Sequence, residues 1–167
     1  YVEIVTRGGS RDDPAESTGL AHYLEHLLFK GTQRLGTLDW EKERPHIRLI
    51  ETLYEEHWKE KDPEKRKTIY AKINEESQKA AAYAIPNEID RLYQSIGGSR
   101  INASTGKDRT NYMVDLPANR LEQWAMIESE RFTNPVYRLF QPELEIVYEE
   151  KNRSLENKDR ILLFAVL

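Results

Sequence analysis

The sequence predicts an α+β domain: an antiparallel sheet with helices packed on one face, plus an inserted helical hairpin. Three observations predict it. "YVEIVTRGG", "SRINASTG" and "TNYMVDL" read as short strands, the last two joined by a tight turn. Most other stretches carry helical spacing with start and stop signals. Residues 37 to 96 differ in character, with two consecutive charged, amphipathic runs.

In chain order, residues 1 to 8 form a strand with partial alternation at Val2, Ile4 and Val5. Gly8-Gly9-Ser10 and Asp12-Asp13-Pro14 are turn chemistry. Ser17 or Thr18 is placed to cap a helix running to about Phe29, ended by Gly31. "DWEKERPHIRLIETLYEEHWKE" sets Ile47, Ile50, Leu53, Tyr54 and Trp58 near helical spacing. Asp62-Pro63 starts the next helix with a cap and an N1 proline, and Ile69, Tyr70 and Ile73 form its stripe. Asn87 and Gly97 bracket a further short helix. Lys107-Asp108-Arg109 turns the strand hairpin. Pro117 opens a helix to about Phe132 with Leu121, Trp124, Ala125 and Ile127 on one side, "NPV" breaks it, and Pro142 opens a last helix running past Leu155.

Composition narrows the function classes. The chain has 167 residues, enough for one domain with a core and too few for two large ones. Net charge is −4 with both signs interspersed, so no basic face argues for nucleic acid. No apolar run approaches the ~18 residues of a membrane span. The absence of cysteine removes disulfides, thiolate metal sites and cysteine nucleophiles together. Tyr1 and the apolar, uncapped "DRILLFAVL" make both ends read as cut.

The chemistry lies in "GLAHYLEHLLFKGT", residues 19 to 32. With Leu20 at zero on a helical wheel, Leu24 falls at about 40° and Leu27 at about −20°, an apolar face. His22, Glu25 and His26 fall at about 200°, 140° and 240°, on the other side. Histidines at i and i+4 are stacked neighbours and can converge on one ion at roughly 2.0–2.1 Å each. Glu25, one residue before the second histidine, is placed to hold water. The order H-x-x-E-H reverses the H-E-x-x-H zinc helix and is the inverzincin pattern.

A hydrolytic zinc keeps three protein ligands and an open position. The remaining histidines, His46 and His57, lie in the charged hairpin and read as surface groups. The other source is "QPELEIVYEEKNRSLE". With Phe140 at zero, Leu144 and Val147 fall near about 40° and about −20° as the buried stripe. Glu143 and Glu150 fall near about −60° and about −80°, at its edge, while Glu149 faces away at about 180°. Glu150 is therefore better placed than Glu149 as a ligand, and Glu143 as a group that orients one. Glu145 and Glu149 read as a solvated acidic face.

These motifs resemble the pitrilysin or insulin-degrading-enzyme family of zinc metallopeptidases, which includes mitochondrial processing peptidase. "GLAHYLEHLLFKGT" resembles the family's signature helix, "GGSRINASTGKDRTNY" its Gly-Gly and Asn-Ala-x-Thr segment, and "ELEIVYEE" its downstream helix. The resemblance covers most of the chain outside residues 37 to 96. It implies that His22, His26 and Glu150 bind Zn2+, that Glu25 is the general base and that Glu143 supports the site. It also implies a sheet edge beside the zinc, where Asn102, Ala103 and Thr105 hold an extended peptide by strand addition. Asn102 and Ala103 are expected closest to substrate.

The resemblance further implies zinc-dependent endopeptidase activity on extended peptides or unfolded protein. It implies remaining domains or a partner subunit, since one partial domain with an insert at about 37–96 accounts for residues 1–167. The longer segment at 37–96 points to a bacterial member, and by analogy to the periplasm or cell envelope, with the cytoplasm as the alternative. A non-catalytic zinc-binding or scaffold subunit is a second reading. An interaction module built on the hairpin, with Trp40 and Trp58, is a third.

Overall fold

The computed structural model describes residues 1–156; the apolar end from residue 157 onward lies outside the described residues. Three strands, β1 (Val2–Arg7), β2 (Ser99–Thr105) and β3 (Arg109–Asp115), form an antiparallel sheet in the order β1-β3-β2. Six α-helices accompany it among the described residues: α1 (Leu20–Leu27), α2 (Trp40–Lys59), α3 (Pro63–Ala81), α4 (Glu88–Ser95), α5 (Leu121–Thr133) and α6 (Phe140–Glu156). The architecture is α+β, as the sequence predicts.

Register puts one face of the sheet under the helices. Ile4 and Ala103 both pair with Tyr112, and Thr6 and Thr105 with Thr110. Tyr112, Val114 and Thr110 are buried on this face, while Glu3, Val5, Asn102 and Ser104 on the other are exposed. Strand side chains alternate between faces, so this separation follows from the pairing. A bulge between Ser99 and Asn102 resets the count, so that Ile101 joins the helix-covered face.

Helix α1 is held from both sides. Tyr23 and Leu27 form a cluster with Val147 of α6, and Phe140 packs against it. Burying such side chains contributes roughly 1.5–3 kcal/mol each. Tyr23 and Phe140 meet edge to face at 5.1 Å, and the Tyr23 hydroxyl donates to the Phe140 carbonyl. Burial raises the Tyr23 pKa well above the ordinary phenol value.

This packing corrects the wheels. Leu20 and Leu24 are exposed, at 45% and 40%, and so is Leu144 at 49%. The buried pairs are instead Tyr23 with Leu27 on α1 and Glu143 with Val147 on α6. Both helices are rotated by roughly half a residue's arc from the all-leucine stripe. The reason is that α1 must seat Glu25 on the sheet as well as Tyr23 on α6, and Tyr23 buries a larger surface than a leucine. On α5 the buried positions are Glu128 and Arg131, with Trp124 and Ile127 half-buried; Leu121 and Ala125 face out.

The cap of α1 also differs from the expectation. Asp13, rather than Ser17 or Thr18, accepts from the Gly19 and Ala21 backbone N–H groups at 2.7 and 2.8 Å. A carboxylate there suits the positive end of the helix. At the other end, Phe29 and Lys30 continue with three-residue bonds to His26 and Leu27. Gly31, at φ 107°, then turns so tightly that a Cβ would lie 2.3 Å from the Leu35 carbonyl oxygen.

Helices α2 and α3 pair as the predicted hairpin, with Leu53, Ile73 and Ala80 buried between them. Asp39 and Asp62 cap them. His46 Nδ1 lies 2.8 Å from Glu76 Oε2 across the pair. Trp58 does not join this core and is 82% exposed. The hairpin is fastened to the body by a buried ion pair, Glu43 Oε1 to Arg138 Nε at 2.7 Å. Arg138 lies over the Trp40 ring at 5.6 Å and donates to the Thr32, Leu35 and Lys30 carbonyls. No helix among the described residues is long and apolar enough to cross a membrane.

Candidate metal centre

His22 and His26 lie one turn apart on α1, and their Nε2 atoms approach to 3.2 Å. From α6, Glu150 Oε2 lies 3.5 Å from His22 Nε2 and 3.6 Å from His26 Nε2. These three are the group among the described residues whose donor atoms converge closely enough to hold an ion. Bonds of about 2.0–2.1 Å at a tetrahedral angle separate two donors by about 3.3–3.4 Å. The observed triangle fits that spacing on every edge.

The chemistry of the donors agrees. Imidazole nitrogen and carboxylate oxygen are both usual zinc donors, and nearly equal separations suit one shared cation. The two His side chains are 37% and 20% exposed and Glu150 is 43% exposed, so the centre is open on one side.

Glu143 completes the support. Its Oε2 lies 3.3 Å from His26 Nδ1, and its Oε1 lies 2.6 Å from Lys30 Nζ. The far nitrogen of His26 thereby has a carboxylate partner, the arrangement that orients a metal-binding imidazole. Glu143 is 5% exposed. A buried carboxylate needs such partners.

Glu25 is also buried, at 7%, on the sheet side of α1. Its Oε2 accepts from the Thr105 hydroxyl on β2. Of the strand positions expected to meet substrate, Ala103 and Thr105 face α1, whereas Asn102 faces the open side of the sheet beside Tyr1, Arg100 and Met113. Among the described residues β2 is a sheet edge. A cavity of about 840 Å³ lies elsewhere, between α2, α3 and the start of α6. Neither histidine, nor Glu25 or Glu150, lines it.

Lys30, Asp13, Arg138 and Glu43 support the site and carry no sequence signal that marks them. Lys30 lies within residues 19 to 32, yet only the fold shows that it meets Glu143.

Residues 1–46 match the sequence model of the insulinase family, peptidase family M16. The matched segment spans β1 and α1. Over 31 residues it is 58% identical to an uncharacterized zinc protease of Streptomyces coelicolor, a match covering 19% of this chain and 7% of that protein. The fold is similar to that of a protease from Helicobacter pylori, with a TM-score of 0.59 and 22% identity over 93% of this chain. The chain spans 26% of that structure's length. The family match contains His22, Glu25 and His26 but ends before Glu143 and Glu150.

Proposed function

We propose that the protein containing this chain is a zinc-dependent endopeptidase, in which His22, His26 and Glu150 hold Zn2+ and Glu25 is the general base. The observation that carries the proposal is the near-equilateral triangle of His22, His26 and Glu150 donor atoms. The match of residues 1–46 to the insulinase family and the similarity to a zinc protease over 31 residues support it. When bound, zinc supplies Lewis acidity, acidifying water and polarising the scissile carbonyl.

The chain's own residues do the rest. Glu143 and Lys30 orient His26. Glu25 accepts the proton of the attacking water on its carboxylate and passes it to the leaving amine nitrogen. The free edge of β2 offers backbone groups to an extended peptide. Substrate is an unstructured or extended polypeptide, and the missing part of the enzyme, further domains or a partner subunit, closes over it. Residues 37–96 are an insert in this partial domain.

Replacing Glu25 with Gln in the full-length protein tests the reading. The expected result is loss of peptide cleavage with zinc retained. An active Glu25→Gln enzyme would sink the assignment, and a zinc-loaded parent that cleaves no peptide would support the alternative of a non-catalytic subunit.

A further inference from the structure

We propose that Thr105 is a positioning residue for Glu25, and that its hydroxyl serves the base instead of the substrate. The inference rests on Glu25 being the base. The family resemblance assigns Thr105 to substrate; the hydrogen-bond pattern assigns it elsewhere.

A hydroxyl carries one proton. Thr105 Oγ1 touches two groups, Glu25 Oε2 and Thr110 Oγ1, the latter at 3.4 Å. Thr110 is its cross-strand partner and directs its own proton to the Gly8 carbonyl at 3.0 Å. An ionised carboxylate is acceptor only, and a charge-assisted bond to it is stronger than one between hydroxyls. The Thr105 proton therefore goes to Glu25, and none is left for a peptide.

The backbone supports this commitment. Thr105 ends β2 where Gly106 N–H bonds the Arg109 carbonyl at 2.8 Å, closing the hairpin. Thr110, 5% exposed, is tied to β1 as well, since its carbonyl accepts from Thr6 Oγ1 at 3.1 Å. Threonine branches at Cβ, so its χ1 is restricted and its hydroxyl direction is preset. The terminal torsion of a glutamate is otherwise broad. Holding Oε2 fixes the carboxylate plane and leaves Oε1 to take the proton from water.

The test uses the full-length zinc-loaded protein. Thr105→Val is expected to lower kcat about 10- to 100-fold, the usual range for a supporting group, with KM and zinc stoichiometry unchanged. Thr105→Ser, which restores the donor, is expected to return most of kcat. In a Glu25→Gln background, Thr105→Val should add no further loss. A readout independent of turnover is the infrared carboxylate band that disappears in Glu25→Gln, which should move in Thr105→Val and stay in Thr105→Ser. Thr105→Ala gives the same expectations should the valine variant not fold. Parental kcat with an unmoved band would overturn the proposal, as would a raised KM at unchanged kcat, the mark of a substrate contact. An active Glu25→Gln enzyme would instead overturn the base assignment, while the infrared shift would still report on the Thr105–Glu25 bond.

Discussion

Glu143 reaches from α6 to His26 Nδ1 on α1 at 3.3 Å and binds Lys30 with its second oxygen at 2.6 Å. One buried carboxylate thus joins the two helices that carry the proposed metal donors. Tyr23, Leu27 and Val147 pack beside it and set the helix separation. The apolar cluster positions the elements, and the carboxylate sets the orientation of one ring.

Glu143→Gln removes the charge and keeps the shape. Zinc affinity is expected to fall about 10- to 100-fold. Competition against a chelator of known affinity measures it, and an unchanged affinity would show that His26 needs no help.

Glu149 and Glu150 are adjacent but face different ways. Glu150→Gln should release zinc at metal concentrations where the parent is saturated. Glu149, which pairs with Arg153 at 3.6 Å, should be replaceable by Gln without loss. Metal content after dialysis distinguishes them, and a zinc-free Glu149→Gln protein would contradict the ligand set.

Arg138→Met leaves Glu43 buried without its partner. Glu43 is 0% exposed and Arg138 1%, so the cost is expected at about 3–5 kcal/mol. Replacing both, Glu43→Leu with Arg138→Met, should recover part of that. It should not recover all, because Arg138 also satisfies the Thr32 and Leu35 carbonyls. Denaturant midpoints of the two variants measure the difference, and equal midpoints would show the ion pair to be unimportant.

The same pair fastens the hairpin to the turn that follows α1. Deleting residues 39–84 removes Glu43 and strands Arg138 beside the turn that follows the histidines. The deletion is expected to destabilise the protein unless Arg138→Met accompanies it. Thermal unfolding of the two deletions decides this, and indifference to Arg138 would make the hairpin a bystander.

Glu76 gives the hairpin a pH dependence. The hydrogen bond from Lys79, and then that from His46, hold its carboxyl below the ordinary value of 4.5. A lowered acid contributes stability that is complete above the unfolded value and disappears as pH falls through the folded one. Glu76→Gln should therefore cost stability, about 1 kcal/mol, near neutrality and little below the folded value. Unfolding curves between pH 7 and pH 3, run on both proteins, should converge at the acid end; parallel curves would refute the linkage.

Much of this was legible in the chain. The i, i+4 histidines and the intervening Glu25 required only helical geometry, and Glu150 over Glu149 followed from the angular position of each on one helix. Strand pairing was legible because β2 and β3 are joined by a short turn. The faces of α1 and α6 were misjudged by a fraction of a turn. A wheel weights every leucine alike, whereas burial went to Tyr23, Glu25 and Glu143, each with a partner that lies more than 70 residues away.

What the sequence alone determined is local: which residues are helical, where turns fall, and that His22, Glu25 and His26 share one side of a helix. Period and turn chemistry act over a few residues, so they can be read without the fold. Only the tertiary structure decided that Glu150 meets the histidines across 124 positions, that Thr105 bonds Glu25, and that Arg138 ties the hairpin to the turn. Those contacts depend on how α1 is rotated between α6 and the sheet, and the packing of Tyr23, Leu27 and Val147 sets that rotation.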